Sequence, residues 1–324
     1  MKKTFIVLLM VLLCAMLFIS CNDDAGSSSP KETYIVTFRL GESSSTGSAY
    51  DAQEIVEGEK ATKPDTNPVP SDKHKIFKYW SADNGATEFK FNETPITKDI
   101  VLQAVYRDYE VGDTGPAGGT IFYINENYDA SSTEEAKNWK YLEAAPADIT
   151  VTNEDDTTTS KVIFGYYLAM VAGGGYNAQV ITTENSASDG SGANAAIGQG
   201  KSNTKKLVQA MPTVASSTNS SSPTPTTNYA AKLCTTYEGG GCTDWFLPSL
   251  NELKALYSAY AAGNVGGTWH TRYSSSYTAS DNEYYWTSSE YDANSAWTVC
   301  FGNGSIGGLP RNYAYAYVRP VRSF

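Results

Sequence analysis

The chain has 324 residues, with 24 Lys and Arg against 35 Asp and Glu, for a formal net charge of −11 at pH 7. Recognition of a phosphate backbone needs clustered cations, so an acidic chain without a basic stripe is expected to have no nucleic-acid partner. Two histidines and five cysteines (Cys14, Cys21, Cys234, Cys242 and Cys300) exclude a zinc centre at recognised spacings.

Lys2 and Lys3 precede an almost unbroken apolar run, Phe5 to Ile19, that ends at Ser20-Cys21. Crossing a bilayer takes roughly 20 apolar residues, so the run reads as an export signal over residues 1–20 in preference to an uncleaved membrane helix. A cysteine directly after the apolar stretch and a small residue resembles the lipobox of bacterial lipoproteins, with Phe18 where Leu is usual. The resemblance implies lipidation of Cys21, membrane attachment through it, and a place in the cell envelope, at the outer membrane or cell surface. Removal of residues 1–20 takes away two lysines and no acid, moving the formal charge from −11 to −13. The stretch that follows, to residue 32, has no apolar residue large enough to pack and is expected to be a disordered tether.

A small β-rich domain is expected over residues 33–107. Tyr34, Val36 and Phe38 alternate, as do Ile100, Leu102, Ala104 and Tyr106, which is the period of half-buried strands. Phe77 and Trp80 are expected to supply the core of this short unit. Val36-Thr37-Phe38, Val56-x-Gly58-x-x-Ala61-x-x-Pro64, Phe77-x-x-Trp80 and Phe89-x-Phe91-x-x-Thr94-Pro95-Ile96-Thr97-x-Asp99-Ile100-x-Leu102-x-Ala104 resemble the Listeria–Bacteroides repeat of the internalin B type. A longer Ser-rich loop after Gly41 replaces the usual paired-glycine turn. The resemblance implies a single β-grasp-like stalk or interaction module.

Residues 109–324 suffice for one large domain. It opens on a turn-rich run, Val111 to Gly119, and the strand Thr120 to Ile124. The polar stretches 152–160 and 216–228 are expected to be exposed loops. Ser249 and Glu252 form a capping-box pair ahead of Leu253, Leu256, Tyr257 and Tyr260, which places a helix there. A second helix is expected over Asn203–Met211 and a third over Tyr229–Tyr237. Beyond Gly263 the pattern changes to short aromatic strands, which makes the class α+β.

Catalytic patterns are scarce. His270 lies in a Gly-Thr-Trp-His-Thr-Arg stretch and reads as a loop histidine, and the glycines at 173–175 and 239–241 lack the Lys-Ser/Thr that follows a phosphate loop. Asp281, Glu283, Glu290 and Asp292 flank Tyr284-Tyr285-Trp286 and read first as solvated strand ends, with hard-oxygen ligation of Ca²⁺ and paired-acid hydrolysis of sugars as the alternatives; no other cofactor is expected. Cys234 and Cys242 bracket a flexible Glu-Gly-Gly-Gly loop and are expected to pair as a disulfide in an oxidising compartment, with Cys300 a buried free thiol.

Six motifs run through this region: Val111-Gly112-x-x-Gly115-Pro116-Ala117-Gly118-Gly119-x-Ile121-Phe122-Tyr123, Tyr141 to Pro146, Ile197-Gly198-x-Gly200-Lys201-x-Asn203-Thr204, Asp244-Trp245-Phe246-Leu247-Pro248-Ser249-x-x-Glu252-Leu253, Tyr285 to Glu290, and Val318-Arg319-Pro320-Val321-Arg322. Together they resemble the Legionella collagen-like-protein C-terminal domain family, which implies a C-type-lectin-like fold. Residues 286–322 also resemble the variable regions of retroelement-diversified proteins. That resemblance implies a scaffold of Trp286, Trp297, Phe301, Gly304, Val318 and Arg322. It implies a displayed set of Tyr291, Asp292, Asn294, Asn303, Ser305, Arg311, Asn312 and Tyr313. Rigid aromatics interleaved with Asn, Ser and Gly suit recognition. The expected function is therefore binding of a protein or glycan ligand through the 290–315 surface, without catalysis. The alternatives are a structural envelope component and, on the related sulfatase-modifying fold, an enzyme, for which the cysteines are not in the expected arrangement.

Overall fold

In a computed structural model of the chain the described residues are 31–41, 49–135, 137–152, 156–165, 192–215, 225–273, 282–292, 295–312 and 314–324. The expected signal, Cys21, most of the tether, Asp281, Asn294 and Tyr313 lie outside them. The described part is mixed α+β and mostly β. The described residues form two compact units: Lys31–Asp65 together with Ser81–Gln103, and Thr66–Trp80 together with Ala104–Phe324.

In the small unit β1 (Thr33–Arg39) pairs antiparallel with β2 (Asp51–Val56) and parallel with the start of β4 (Ile100–Asp108). Val36, Phe38 and Leu102 point inward and are fully buried, while Ile35 and Val101 point outward, as the alternation requires. Phe91 stacks on Phe38 at 6.2 Å and meets Phe89 edge-on at 4.9 Å. The parallel pairing needs a long crossover, and residues 57–99 provide it. Asp99 fastens its end by accepting from the Ile35 N–H at 2.8 Å.

The division differs from the expected 33–107 boundary, because Thr66–Trp80 packs within the large unit. His74 lies edge-on to Tyr128 and stacks at 6.3 Å on Phe324, and Ile76 joins the cluster of Tyr109, Ile121, Tyr141 and Phe324. Phe77 and Trp80, 5.5 Å apart, lie on β3 (Lys75–Ser81), which is hydrogen-bonded beside β4 in the sheet of order β2-β1-β4-β3.

Among the described residues the large unit carries a three-stranded and a four-stranded sheet, besides two short ladders, β7 (Val151–Thr152) with β8 (Thr158–Thr159) and β9 (Val214–Ala215) with β10 (Pro225–Thr226). In the first, β6 (Tyr141–Ala144) lies between β5 (Thr120–Ile124) and β15 (Val321–Ser323), all antiparallel. The Gly-Pro-Ala-Gly-Gly turn ahead of β5 wraps the buried Glu143 carboxylate, which accepts from the N–H groups of Ala117 (3.0 Å) and Gly119 (2.8 Å) and from Arg322 Nη1 (3.1 Å). A Cβ on Gly115 would stand 2.4 Å from the Glu143 carboxyl carbon, so only glycine fits that approach. Arg322 also forks onto Asp244 at 2.8 and 3.0 Å. Burial raises the pKa of Glu143; it acts the same way on Asp244, but the Arg322 fork outweighs it and lowers that carboxyl.

The second sheet has the order β13 (Ile306–Pro310), β12 (Ser295–Cys300), β11 (Tyr284–Glu290), β14 (Ala316–Tyr317). It is covered on both faces, so it reads as a continuous buried run. Tyr284, Trp286, Ala296 and Cys300 face a core with Phe164, Leu207, Ala230, Cys234 and Val318. Tyr285, Trp297, Val299 and Tyr317 face another with Phe122, Leu142, Leu250, Leu253 and Leu256. The first core is closed by α1 (Gly200–Ala210) and α2 (Ala230–Thr236), and the second by α3 (Leu250–Ala261).

The Ser249–Glu252 capping box is formed at the start of α3. Helix α1 begins at Gly200, ahead of the expected Asn203, because the Gly198 and Gly200 N–H groups donate to Glu252 Oε1 at 2.8 and 3.3 Å. Two helix N-termini therefore meet at one carboxyl.

Candidate functional site

The displayed residues expected from sequence sit on the turns of the β11–β12–β13 hairpins. β11 pairs in register with β12 from Tyr284 to Trp286, then bulges so that Glu290 pairs with Ala296. Thr287, Ser288 and Ser289 within the bulge are fully buried, and each finds a partner. Thr287 Oγ1 donates to Trp297 O at 2.9 Å, and Ser289 Oγ donates to Asn194 O at 3.0 Å while accepting from Leu250 N. Ser288 Oγ accepts from Asn203 Nδ2 at 3.3 Å. The bulge thus ties the sheet to α1 and α3 by directional bonds.

The bulge ends at Glu290, whose carboxylate meets Arg311 Nη1 at 2.8 Å with both side chains 0% exposed. Arg311 Nε donates to Gly165 O at 3.1 Å, its guanidinium lies 5.1 Å over the Phe164 ring, and its own carbonyl accepts from the Phe164 and Gly165 N–H groups. Arg311 is therefore a core residue and not a displayed one. The Asn- and Tyr-rich run around it gave no sign that its partner stands 21 residues upstream on β11.

Tyr291, Asp292 and Asn312 lie together at one end of the sheet, where Ser295 pairs with Pro310, and all three are half-buried. Tyr291 packs edge-on to Trp297 at 4.6 Å and lies over Gly308, where a Cβ would come within 2.8 Å of the ring. Asp292 shapes the turn by accepting from Ser295 N at 2.7 Å. Asn303 and Ser305 are exposed at the opposite end of β12, about 17 Å away at 3.3 Å per residue. Asn303 Oδ1 accepts from Ser305 N at 3.0 Å, and Gly304, in the left-handed region, backs onto Tyr257. The 290–315 set thus divides into two separate tips. Of the residues expected as scaffold, Trp286, Trp297, Phe301, Val318 and Arg322 are buried and Gly304 is half-buried.

The expected Cys234–Cys242 disulfide is not formed, and Cys234, Cys242 and Cys300 are free thiols. Cys234 points from α2 into the apolar core, where burial pushes its thiol pKa well up. Cys242 packs instead against the cluster of Ala117, Ala145 and Trp245. The intervening glycines are anchored to that cluster: Gly239 O accepts from Trp245 Nε1 at 3.1 Å, and Gly240 presses on the Ala117 backbone.

The acids also diverge. Glu290 is spent on Arg311, and Glu283 faces His270 and Arg272. Among the described residues no group of three or more His, Cys, Asp or Glu side chains converges as a metal site.

Sequence reasoning missed the surroundings of His270. Its ring stacks on Tyr317 at 3.7 Å and 6°, with Nε2 3.6 Å from Asp148 Oδ2 and Nδ1 3.6 Å from Glu283 Oε1. Both nitrogens face carboxylates at distances longer than a hydrogen bond. Asp148 is held in turn by Arg319 Nε at 2.6 Å and Tyr285 OH at 2.9 Å, and Arg319 stacks 3.8 Å over Trp269. Burial, then Glu283, raises the Tyr317 hydroxyl to about 12. The two arginines of Val318-Arg319-Pro320-Val321-Arg322 thus serve two different carboxylate clusters, one at Asp148 and one at Glu143.

The family model of the Lcl C-terminal domain matches residues 199–322, which spans α1 to β15 and supports the expected resemblance over that stretch. Among curated proteins, none matches the chain.

Proposed function

We propose that the protein is a cell-envelope lipoprotein, anchored through lipidated Cys21, whose large unit binds a protein or glycan ligand and turns nothing over. On this reading the large unit has a C-type-lectin-like fold, and the small unit is a Listeria–Bacteroides repeat that serves as a spacer. The observation that carries the reading is the Glu290–Arg311 pair, a fully buried ion pair directly beneath Tyr291, Asp292 and Asn312. Buried pairs are weak sources of stability but good sources of fixed geometry, and a fixed polar tip is what recognition needs.

The test is a glycan and surface-protein array probed with the full chain, with and without Ca²⁺. Tyr291→Ala with Asn312→Ala is expected to reduce specific binding at least tenfold, which corresponds to about 1.4 kcal/mol. Asn303→Ala with Ser305→Ala, at the far tip, is expected to leave binding intact. Binding retained by the first variant and lost by the second would move the site to the other end of β12. No specific binding at all would favour a structural envelope component.

A further inference from the structure

The three-stranded and four-stranded sheets of the large unit end in the edge strands β5, β15, β13 and β14, and the chain itself closes three of these edges. β14 is met by Val162, whose N–H donates to Ala316 O at 3.0 Å, and β15 by Phe246, which exchanges backbone bonds with Val321 at 2.8 and 3.0 Å. β5 is met by the turn ahead of it, where Gly112 N donates to Ile121 O at 2.8 Å and Ile121 N to Asp113 O at 2.9 Å. β13 is the exception. Its ladder with β12 keeps one register from Val299–Ile306 to Ser295–Pro310, and the Cys300 N–H donates to Ser305 O at 2.8 Å. Alternation along that ladder turns the N–H and C=O of Gly307 and Leu309 towards β12 and those of Ile306 and Gly308 outward. Gly308 is exposed and Ile306 half-buried, and among the described residues nothing takes up their outward groups. Pro310, which has no N–H, ends the open stretch. Open edges are ordinarily blunted by charged side chains as well, and β13 has none.

We propose that β13 is a self-association edge, which pairs antiparallel with β13 of a second copy about a two-fold axis at Gly307. In that register the Ile306 N–H and C=O bond the partner's Gly308, and by symmetry Gly308 bonds the partner's Ile306, so every outward group of the edge is used. A register centred on Gly308 would oppose Ile306 to the proline and leave a carbonyl over. Gly307 then faces the partner's Gly307 with no side chain between them. Nothing inside one chain asks for glycine there: a Cβ would meet no atom within 4 Å, and the backbone is not in the left-handed region. On the face shared with Trp297, the Tyr291 ring covers the bare Gly308 and stands beside the partner's Ile306. The pairing is carried by the backbone and does not rest on ligand binding at the Tyr291–Asn312 tip.

The test is sedimentation equilibrium of the full chain, with amide hydrogen exchange read residue by residue. Strand pairing of this extent is expected to give a Kd on the order of 100 µM. Raising the concentration from about 5 to about 500 µM is then expected to slow exchange at the Ile306 and Gly308 amides roughly threefold. Gly307 and Leu309, bonded within the chain, are expected to exchange at the same rate throughout. Gly307→Ala is expected to associate as the parent does. Gly307→Asp sets like charges directly opposite each other across the axis and is expected to weaken association roughly fivefold or more. Both side chains have room in the single chain, so both variants are expected to fold. A chain that stays monomeric up to about 1 mM would leave the edge to a strand of another protein and overturn the proposal. It is overturned equally if a dimer forms without slowing Ile306 and Gly308, if those amides are slow at every concentration, or if Gly307→Asp associates as tightly as the parent.

Discussion

In the small unit every buried described side chain except Ser81 is apolar, from Val36 and Phe38 to Phe89, Ile96 and Leu102, whereas the large unit encloses Glu143, Glu252, Glu290, Arg311, Arg319 and Arg322. Apolar packing is non-directional, and its cost on substitution scales with the area and volume removed. A buried ion pair is directional and asymmetric: the pair adds little net stability, yet losing one member strands the other in a low dielectric. The small unit is therefore held by a continuous mass, and the large unit is pinned at discrete points, each a carboxyl ringed by named donors. Pins of this kind fix where the hairpin tips stand, which bulk packing does not do.

The contrast can be tested by substitution, and the largest effect is expected at the pin beneath the tip. Arg311→Met takes away the counter-charge that Arg311 presents to the buried Glu290 and is expected to cost about 3–5 kcal/mol. Adding Glu290→Leu is expected to recover most of that loss. All six tryptophans lie in the large unit, so urea titration followed by their fluorescence reports on it directly. If Arg311→Met alone were neutral, the large unit would be held by packing like the small one and the contrast would collapse.

In the small unit Leu102→Ala is expected to cost about 2–5 kcal/mol through transfer and cavity formation, with no dependence on salt. Hydrogen exchange at the β1 amides measures it. A marked salt dependence would show that a charge network operates there too.

The subtlest effect is expected at Glu252. Its folded pKa, raised to about 7 from an ordinary 4.5, means that between those values the folded chain holds a proton the unfolded chain has lost. Stability from this group therefore falls as pH rises from 4.5 to 7 and levels off above, by at most roughly 3 kcal/mol. Glu252→Gln removes that slope, so the difference in urea midpoint between variant and parent is expected to change from pH 5 to pH 7. A constant difference would show that the two helix N-termini already keep the carboxylate ionised.

How far each region could be read from sequence follows the same divide. Val36, Phe38 and Leu102 declare their faces by period, because an apolar side chain on a two-sided strand has one place to go. The Ser249–Glu252 box is legible because the spacing is local and the donors are the helix's own. Arg311 is not legible as a core residue, since its burial depends on Glu290 and Gly165, one 21 residues and the other 146 residues distant in sequence. His270 is opaque for the same reason, with Asp148 and Glu283 arriving from separate segments. Cys234 and Cys242 mislead because spacing measures reach along the chain, whereas the direction of each thiol is decided by which core the flanking residues enter.

Tyr109 meets Phe324 edge-on at 5.8 Å, and the Phe324 carbonyl accepts from the Lys140 and Tyr141 N–H groups. Almost the whole large unit is thus a loop of chain whose first and last residues lie side by side. Tyr109, Tyr141 and Phe324 thus form a clasp in which neither end of the stretch can come away without exposing the aromatic rings of the other.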